Sequence, residues 1–202
     1  MSRCLVIGKT NVGKSVFVLH FARYLGLSRL QVTCEDPGGY RYQRAYALDA
    51  AIRDLSGSSP HQTRCLQSIT LELPVGKGVK RLELVDTSGL IEGIHADLQV
   101  RKAMAQTLAN VRQAQIILHM VDASQAAISG AIAAIGEVDY QVAQFAQMRG
   151  GYLVLANKMD LAGAAEGLEL IRREFAGHII IPISALHSEG FREVKRYVWR
   201  WL

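Results

Sequence analysis

Gly8-Lys9-Thr10-Asn11-Val12-Gly13-Lys14-Ser15 is the stretch from which the fold can be read. It matches the pattern GxxxxGK[ST] at Gly8, Gly13, Lys14 and Ser15. The apolar run 4–7 precedes it, and a helical pattern over residues 14–25 follows. A strand, a glycine-rich turn and a helix in that order form a phosphate cradle. The glycines let the backbone curl so that successive N–H groups converge on phosphate oxygens. The helix N-terminus adds the positive end of its dipole. The backbone from Gly8 through Asn11, Val12 and Gly13 to Val16 is expected to line the cradle. Lys14 is expected to reach the β- and γ-phosphates and Ser15 to hold Mg²⁺. Lys9 is not the motif lysine and reads as solvated.

Outward from this loop, short apolar runs alternate with stretches of helical period. The runs are 4–7, 82–85, 116–121, 152–156 and 179–183, each rich in Val, Ile or Leu. Such runs suit strands buried on both faces. Val100, Met104, Leu108 and Val111 recur at helical spacing, as do Leu168, Ile171 and Phe175, and again Phe191, Val194, Val198 and Trp201. The alternation predicts an α/β doubly wound sheet, with ligands at the carboxyl ends of its strands. Residues 64–73 and 80–85 read as a β-hairpin turning over 74–79. Its first strand alternates Ile69, Leu71 and Leu73 with polar residues, as a half-exposed edge strand does. Residues 42–55 read as helical, and the small-residue stretch 123–139 fits no single element.

Length and composition bound the rest. The chain has 202 residues, half apolar and a fifth charged, which suits one domain over 1–202 with its own core. No apolar stretch approaches the roughly 20 residues of a membrane span, and residues 1–3 lead straight into the first strand. No integral membrane segment or signal peptide is expected, and the expected location is cytoplasmic. Cys4, Cys34 and Cys65 are far apart and read as reduced thiols. No His and Cys spacing suggests a zinc site. The net charge of +5 is compatible with an RNA or acidic-membrane partner without demanding one. The last helix carries Arg192, Lys195, Arg196 and Arg200 on one flank, and the plain reading of that flank is a solvated face.

Three further constellations narrow the chemistry. Asp86-Thr87-Ser88-Gly89 follows the run 82–85. There Asp86 can hold Mg²⁺, and Gly89 can offer its N–H to a γ-phosphate. Asn157-Lys158-Met159-Asp160 follows the run 152–156. Asp160 can accept from the N1–H and exocyclic amine of guanine. Adenine offers neither pair of donors and would leave the carboxylate unpaired. Asn157 would buttress the loop, and the Lys158 stem would lie over the base. Ser184-Ala185-Leu186, after the run 179–183, can offer a backbone N–H to the guanine O6. A guanine-nucleotide site follows, and Asp160 disfavours an ATPase.

In that order the motifs resemble the translation-factor-related GTPases, and within them the TrmE/Era/EngA superfamily. The resemblance covers nearly the whole chain. It implies a P-loop G domain with a mostly parallel six-stranded sheet and helices on both faces. It also implies a switch that hydrolyses GTP to GDP and phosphate with Mg²⁺. The family's Thr-Thr-Arg switch element is blurred here. Its nearest match is Pro60-His61-Gln62-Thr63-Arg64, so Thr63 is carried over as the Mg²⁺ and γ-phosphate threonine, with Thr33 and Thr70 as rivals. The catalytic set is then Lys14, Thr63 and Gly89, and the Mg²⁺ set Ser15, Thr63 and Asp86. Thr10 stands where the family has proline, and residues 28–62 are longer than the family's switch I region. Leu90 occupies the place of a water-orienting glutamine. The resemblance implies that a potassium ion held by Asn11 can take over the charge neutralisation. His61 and His95, near the two switches, read as solvated. Implied partners are GTP and GDP, and an effector such as RNA or the ribosome; a nucleotide-dependent homodimer is left open. The alternative function is a nucleotide-binding interaction or assembly module with little hydrolysis.

Overall fold

In a computed structural model of the chain, the described residues are 1–36, 38–55, 66–75, 77–87, 98–148 and 150–202. All five apolar runs form strands: β1 (Ser2–Ile7), β5 (Gly78–Asp86), β6 (Ile116–Asp122), β7 (Tyr152–Asn157) and β8 (Ile180–Pro182). Every residue of β6 and β7 is buried, as continuous apolar runs in a sheet covered on both faces require. The remaining strands are β2 (Arg29–Glu35), β3 (Arg41–Ala47) and β4 (Leu66–Val75). The sheet order is β3-β2-β4-β5-β1-β6-β7-β8. Pairings from β5 through β1, β6 and β7 to β8 are parallel, and those linking β3, β2, β4 and β5 are antiparallel.

The α/β class stands, but the sheet has eight strands rather than six. The difference lies in the long segment after α1 (Lys14–Tyr24). There β2 and β3 form an antiparallel pair whose inner strand docks on β4. Residues 42–55 are correspondingly not one helix: β3 ends at Ala47, and only α2 (Leu48–Leu55) is helical. Tyr42 and Tyr46 are four apart, which suits a helix face and alternate strand positions equally well. The free edge of β2 decides for the strand. The same pairing corrects the reading of β4 as an edge strand, since it lies between β2 and β5. Its ladder with β5 continues to Val75 opposite Gly78, so the turn is shorter than 74–79. Ile69, Leu71 and Leu73 are nevertheless buried, and Thr70 and Glu72 exposed, as the alternation predicts, whereas Ser68 is buried on the face opposite them, as is Leu66.

Helices cover both faces. The first apolar cluster joins α1, α2 and α8 (Phe191–Arg200) to one side of the sheet through Phe17, Phe21, Ala51, Phe191 and Val194. The second joins α3 (Leu98–Val111), α6 (Glu137–Gln147) and α7 (Ala164–Glu174) to the other through Val111, Val142, Leu168 and Ile171. Stretch 123–139 resolves into α4 (Ala123–Ser129), α5 (Ala131–Ile135) and the start of α6. Gly130 and Gly136 interrupt it at φ 82° and 83°, a conformation that favours glycine.

The small residues there allow close packing. A Cβ on Gly167 of α7 would lie 1.8 Å from the Ala123 carbonyl oxygen of α4. Gly to Ala in a helix interior ordinarily gains about 1 kcal/mol. Here Gly167→Ala should instead destabilise by about 1–3 kcal/mol through overpacking, read as a lowered urea midpoint with unchanged slope.

Candidate functional site

The motif residues gather at the carboxyl ends of β1, β5, β6, β7 and β8. The cradle leaves β1 at Gly8, whose φ is 139° and whose added Cβ would meet the Met120 carbonyl oxygen at 2.3 Å. Gly13 has φ 101°, and a Cβ there would meet Asn157 Nδ2 at 2.5 Å. Both positions therefore demand glycine for space as well as for backbone angle. Gly13 is the N-cap of α1, and that helix has neither a side-chain cap nor an acidic residue in its first turn. Its first N–H groups and dipole end suit an anion.

Lys14 is 7% exposed and donates to the carbonyls of Gly8 (3.0 Å) and Lys9 (2.8 Å). Its ammonium thus sits within the loop. Lys9 is not simply solvated: its Nζ donates to the Ala133 carbonyl in α5 at 2.7 Å. The folding of 123–139 over this side of the loop supplies that acceptor. Asn11 is exposed with φ 64°, while Val12 is buried.

Ser15 Oγ donates to Asp86 Oδ2 at 2.5 Å. Asp86 is 2% exposed, and among the described residues its Oδ1 has no hydrogen-bond partner. Burial pushes the carboxyl up to about 6, against the opposing pull of Ser15 and Lys14. A buried carboxylate with one unmatched oxygen, beside a hydroxyl, is an all-oxygen donor set of the kind Mg²⁺ takes. The residues present fit that ion. Thr87, unassigned from sequence, locks the end of β5 by donating from Oγ1 to the Val6 carbonyl at 2.8 Å. Thr63, Ser88, Gly89, Leu90, His61, His95 and Cys65 lie outside the described residues. Of the rival threonines, Thr33 lies opposite Ser68 and Thr70 opposite Glu83, both inside strand ladders.

The base-reading residues form a linked set. Asn157 is 2% exposed; its Nδ2 donates to the Val12 carbonyl at 2.7 Å, and its Oδ1 accepts from the Ala185 N–H at 2.9 Å. One side chain therefore ties together the cradle, the β7 loop and the β8 loop. Ser184 Oγ donates to Asp160 Oδ1 at 2.6 Å, fixing one edge of that exposed carboxylate. Leu186 is 58% exposed.

Lys158, at φ 67°, pairs through Nζ with Asp122 Oδ2 at 2.5 Å. Asp122 also accepts from Ser124 Oγ (2.6 Å) and the Gln125 N–H (3.2 Å), so it caps α4 while anchoring Lys158. Sequence reading missed Asp122 by ending its strand at Val121. The available signal was an aspartate between an apolar run and a helix-prone Ala-Ser-Gln, the position of an N-cap.

Comparisons with known proteins bear on the family and the fold. A family model described as 50S ribosome-binding GTPase matches residues 47–158. GTPase Obg of Desulfatibacillum aliphaticivorans is 29% identical over 150 residues, 73% of this chain and 43% of that protein. The tRNA modification GTPase MnmE of Aquifex aeolicus is 30% identical over 149 residues, 74% of this chain and 28% of that protein. The chain thus spans less than half the length of these relatives. Among solved structures, Era in complex with MgGDPNP and nucleotides 1506–1542 of 16S ribosomal RNA superposes with a TM-score of 0.66. The identity is 20%, over 100% of this chain and 56% of that one, a likeness of fold.

Proposed function

Because the chain belongs to the 50S ribosome-binding GTPase family, we propose that it binds GTP and GDP at this site and hydrolyses GTP with Mg²⁺ as a nucleotide-dependent switch. The observation that carries the reading is Asn157, whose two amide atoms join the cradle at Val12 to the Ala185 N–H. Phosphate and base sites tied through one buried side chain suit a ligand with both parts. In this reading Asp160 accepts from the guanine edge, Lys158 covers the base, and the Ala185 region faces O6. Lys14 and the α1 N-terminus take the phosphates, and Ser15 and Asp86 take Mg²⁺, with Thr63 and Gly89 completing the γ-phosphate contacts. Bound Mg²⁺ supplies charge neutralisation on the phosphate oxygens. Single-turnover hydrolysis of GTP, with and without chelator, tests the proposal. Tight mant-GDP binding without phosphate release would favour the assembly-module alternative, to which Leu90 also points.

The water-activating element is assigned to a potassium ion at Asn11, which is exposed at the front of the cradle. Turnover in KCl should exceed that in NaCl at equal ionic strength by about tenfold, about 1.4 kcal/mol of barrier. Asn11→Ala should remove the difference; equal rates in the two salts for the unaltered protein dispose of the idea. The effector is assigned to RNA, on the strength of the family and of the RNA-bound Era that shares the fold.

A further inference from the structure

Two segments together carry the chain's formal excess of positive charge. There are 23 Lys and Arg against 18 Asp and Glu. Helix α8 holds Arg192, Lys195, Arg196 and Arg200 against Glu193 alone. The tip of the β4–β5 hairpin holds Lys77, Lys80 and Arg81 against Glu72. Outside these two segments the charges balance. Lys80 Nζ donates to the Leu202 carbonyl just beyond α8, so the two segments adjoin.

Helix stability accounts for only part of the stripe: Arg200 lies in the last turn, where a cation is favoured, and Arg192 pairs with Glu193 at 3.5 Å. Arg192, Arg196 and Arg200 are exposed and follow one another at i, i+4 and i+8, about 6 Å apart along the axis. Like charges at that spacing each cost a helix a few tenths of a kcal/mol, about 0.2–0.5. The opposite face of α8 is committed to the core: Phe191, Val194, Tyr197 and Val198 are at most 7% exposed. Tyr197 is further fixed by donating from its hydroxyl to the Tyr152 carbonyl at 2.8 Å. A helix that binds a bilayer surface needs a free apolar face, and α8 has none to offer.

Aromatic rings instead flank the cations. Lys195 Nζ lies 5.1 Å from the centroid of the half-exposed Trp199 ring. Trp201 is 44% exposed and lies over Gly150, where a Cβ would come within 2.7 Å of the ring. Regularly spaced arginines beside accessible indoles are the elements of single-strand recognition, in which cations follow the backbone and rings stack on bases.

We propose that α8 and the adjoining β4–β5 tip form a binding surface for single-stranded RNA, with the Arg192, Arg196 and Arg200 stripe on its phosphates. The choice of RNA as the polyanion rests on the effector reading above; the location of the surface does not. The test uses a labelled RNA longer than a site of roughly 16 nucleotides, titrated at several salt concentrations against the full chain. The triple variant Arg192→Gln, Arg196→Gln, Arg200→Gln should bind about 100-fold more weakly near ~0.1 M salt. Its slope of log affinity on log salt should be shallower by about 2, at ~0.7 per lost single-strand phosphate contact. Its mant-GDP affinity should match the unaltered protein. Should the triple variant fail to fold, Arg196→Glu alone, which leaves the core face intact, must weaken binding in the same direction. Unchanged RNA affinity in the variants overturns the surface and leaves the RNA reading standing. No binding by the unaltered protein overturns both. Binding to phosphatidylserine-rich vesicles in place of RNA overturns the proposal in favour of a membrane surface.

Discussion

Asp160→Asn should lower affinity for guanine nucleotides by about four orders of magnitude, the scale on which a built hydrogen-bonding site rejects a mismatched partner. Ser184 Oγ donates to Asp160 Oδ1, and an asparagine that keeps its oxygen there retains this bond. Its Nδ2 then replaces the second carboxylate oxygen. A donor now faces the guanine exocyclic amine, itself a donor, so both groups lose their partners at once. Xanthine carries an oxygen at that ring position and accepts from the new amide. Mant-XDP should therefore bind the variant far better than mant-GDP does, reversing the preference of the unaltered protein. Ser184→Ala removes the positioning bond, together with a longer bond that Oγ accepts from the His187 N–H at 3.3 Å, and should cost about fivefold, the scale of one ordinary hydrogen bond near 1 kcal/mol. An Asp160→Asn protein that holds mant-GDP as tightly as before would end the base-reader assignment.

Much of this site was legible in the chain because its parts are short and follow strands. Each of Gly8, Asp86, Asn157 and Ser184 comes at or just after the carboxyl end of an apolar run, and topology brings those ends together. What sequence could not supply was the wiring between segments far apart in the chain. That Asn157 reaches Val12, Lys158 reaches Asp122 and Lys9 reaches Ala133 depends on a packed sheet rather than on local pattern. The fold was misread around β2 and β3 for a related reason. Residues 42–47 carry tyrosines whose spacing suits helix and strand alike. The deciding term, pairing of β3 with β2 and of β2 with β4, is non-local. Small residues hid the third case: Ala, Ser and Gly over 123–139 show no amphipathic period, because α4 is held by close backbone approach at Gly167.

Asp86→Asn should pull stability and activity in opposite directions. The Asp86 carboxyl is raised from its ordinary 3.8 to about 6, with burial the largest cause. A group whose folded value lies above its unfolded one binds its proton more tightly in the native state. Its contribution is therefore fully present below the unfolded value and lost as pH rises through about 6. For the nucleotide-free and metal-free protein that loss is on the order of 3 kcal/mol by neutral pH, at about 1.4 kcal/mol per unit. Asparagine does not ionise, so the variant should be flatter across this window. It should also be more stable at neutral pH by about 1–3 kcal/mol, since an imperfectly bonded buried amide returns part of the gain. Urea unfolding near pH ~3.5 and pH ~7.5, below the unfolded value and above the folded one, reads this directly. GTP turnover should meanwhile fall by about 10²–10³, the cost of losing one preorganised charge at a reacting phosphate, and its dependence on Mg²⁺ concentration should weaken. Both arms follow from one feature: a carboxylate kept buried with an unmatched oxygen is a liability to the empty fold and an asset to a bound cation. A variant that is less stable at neutral pH, or one that turns over GTP as before, would break that link.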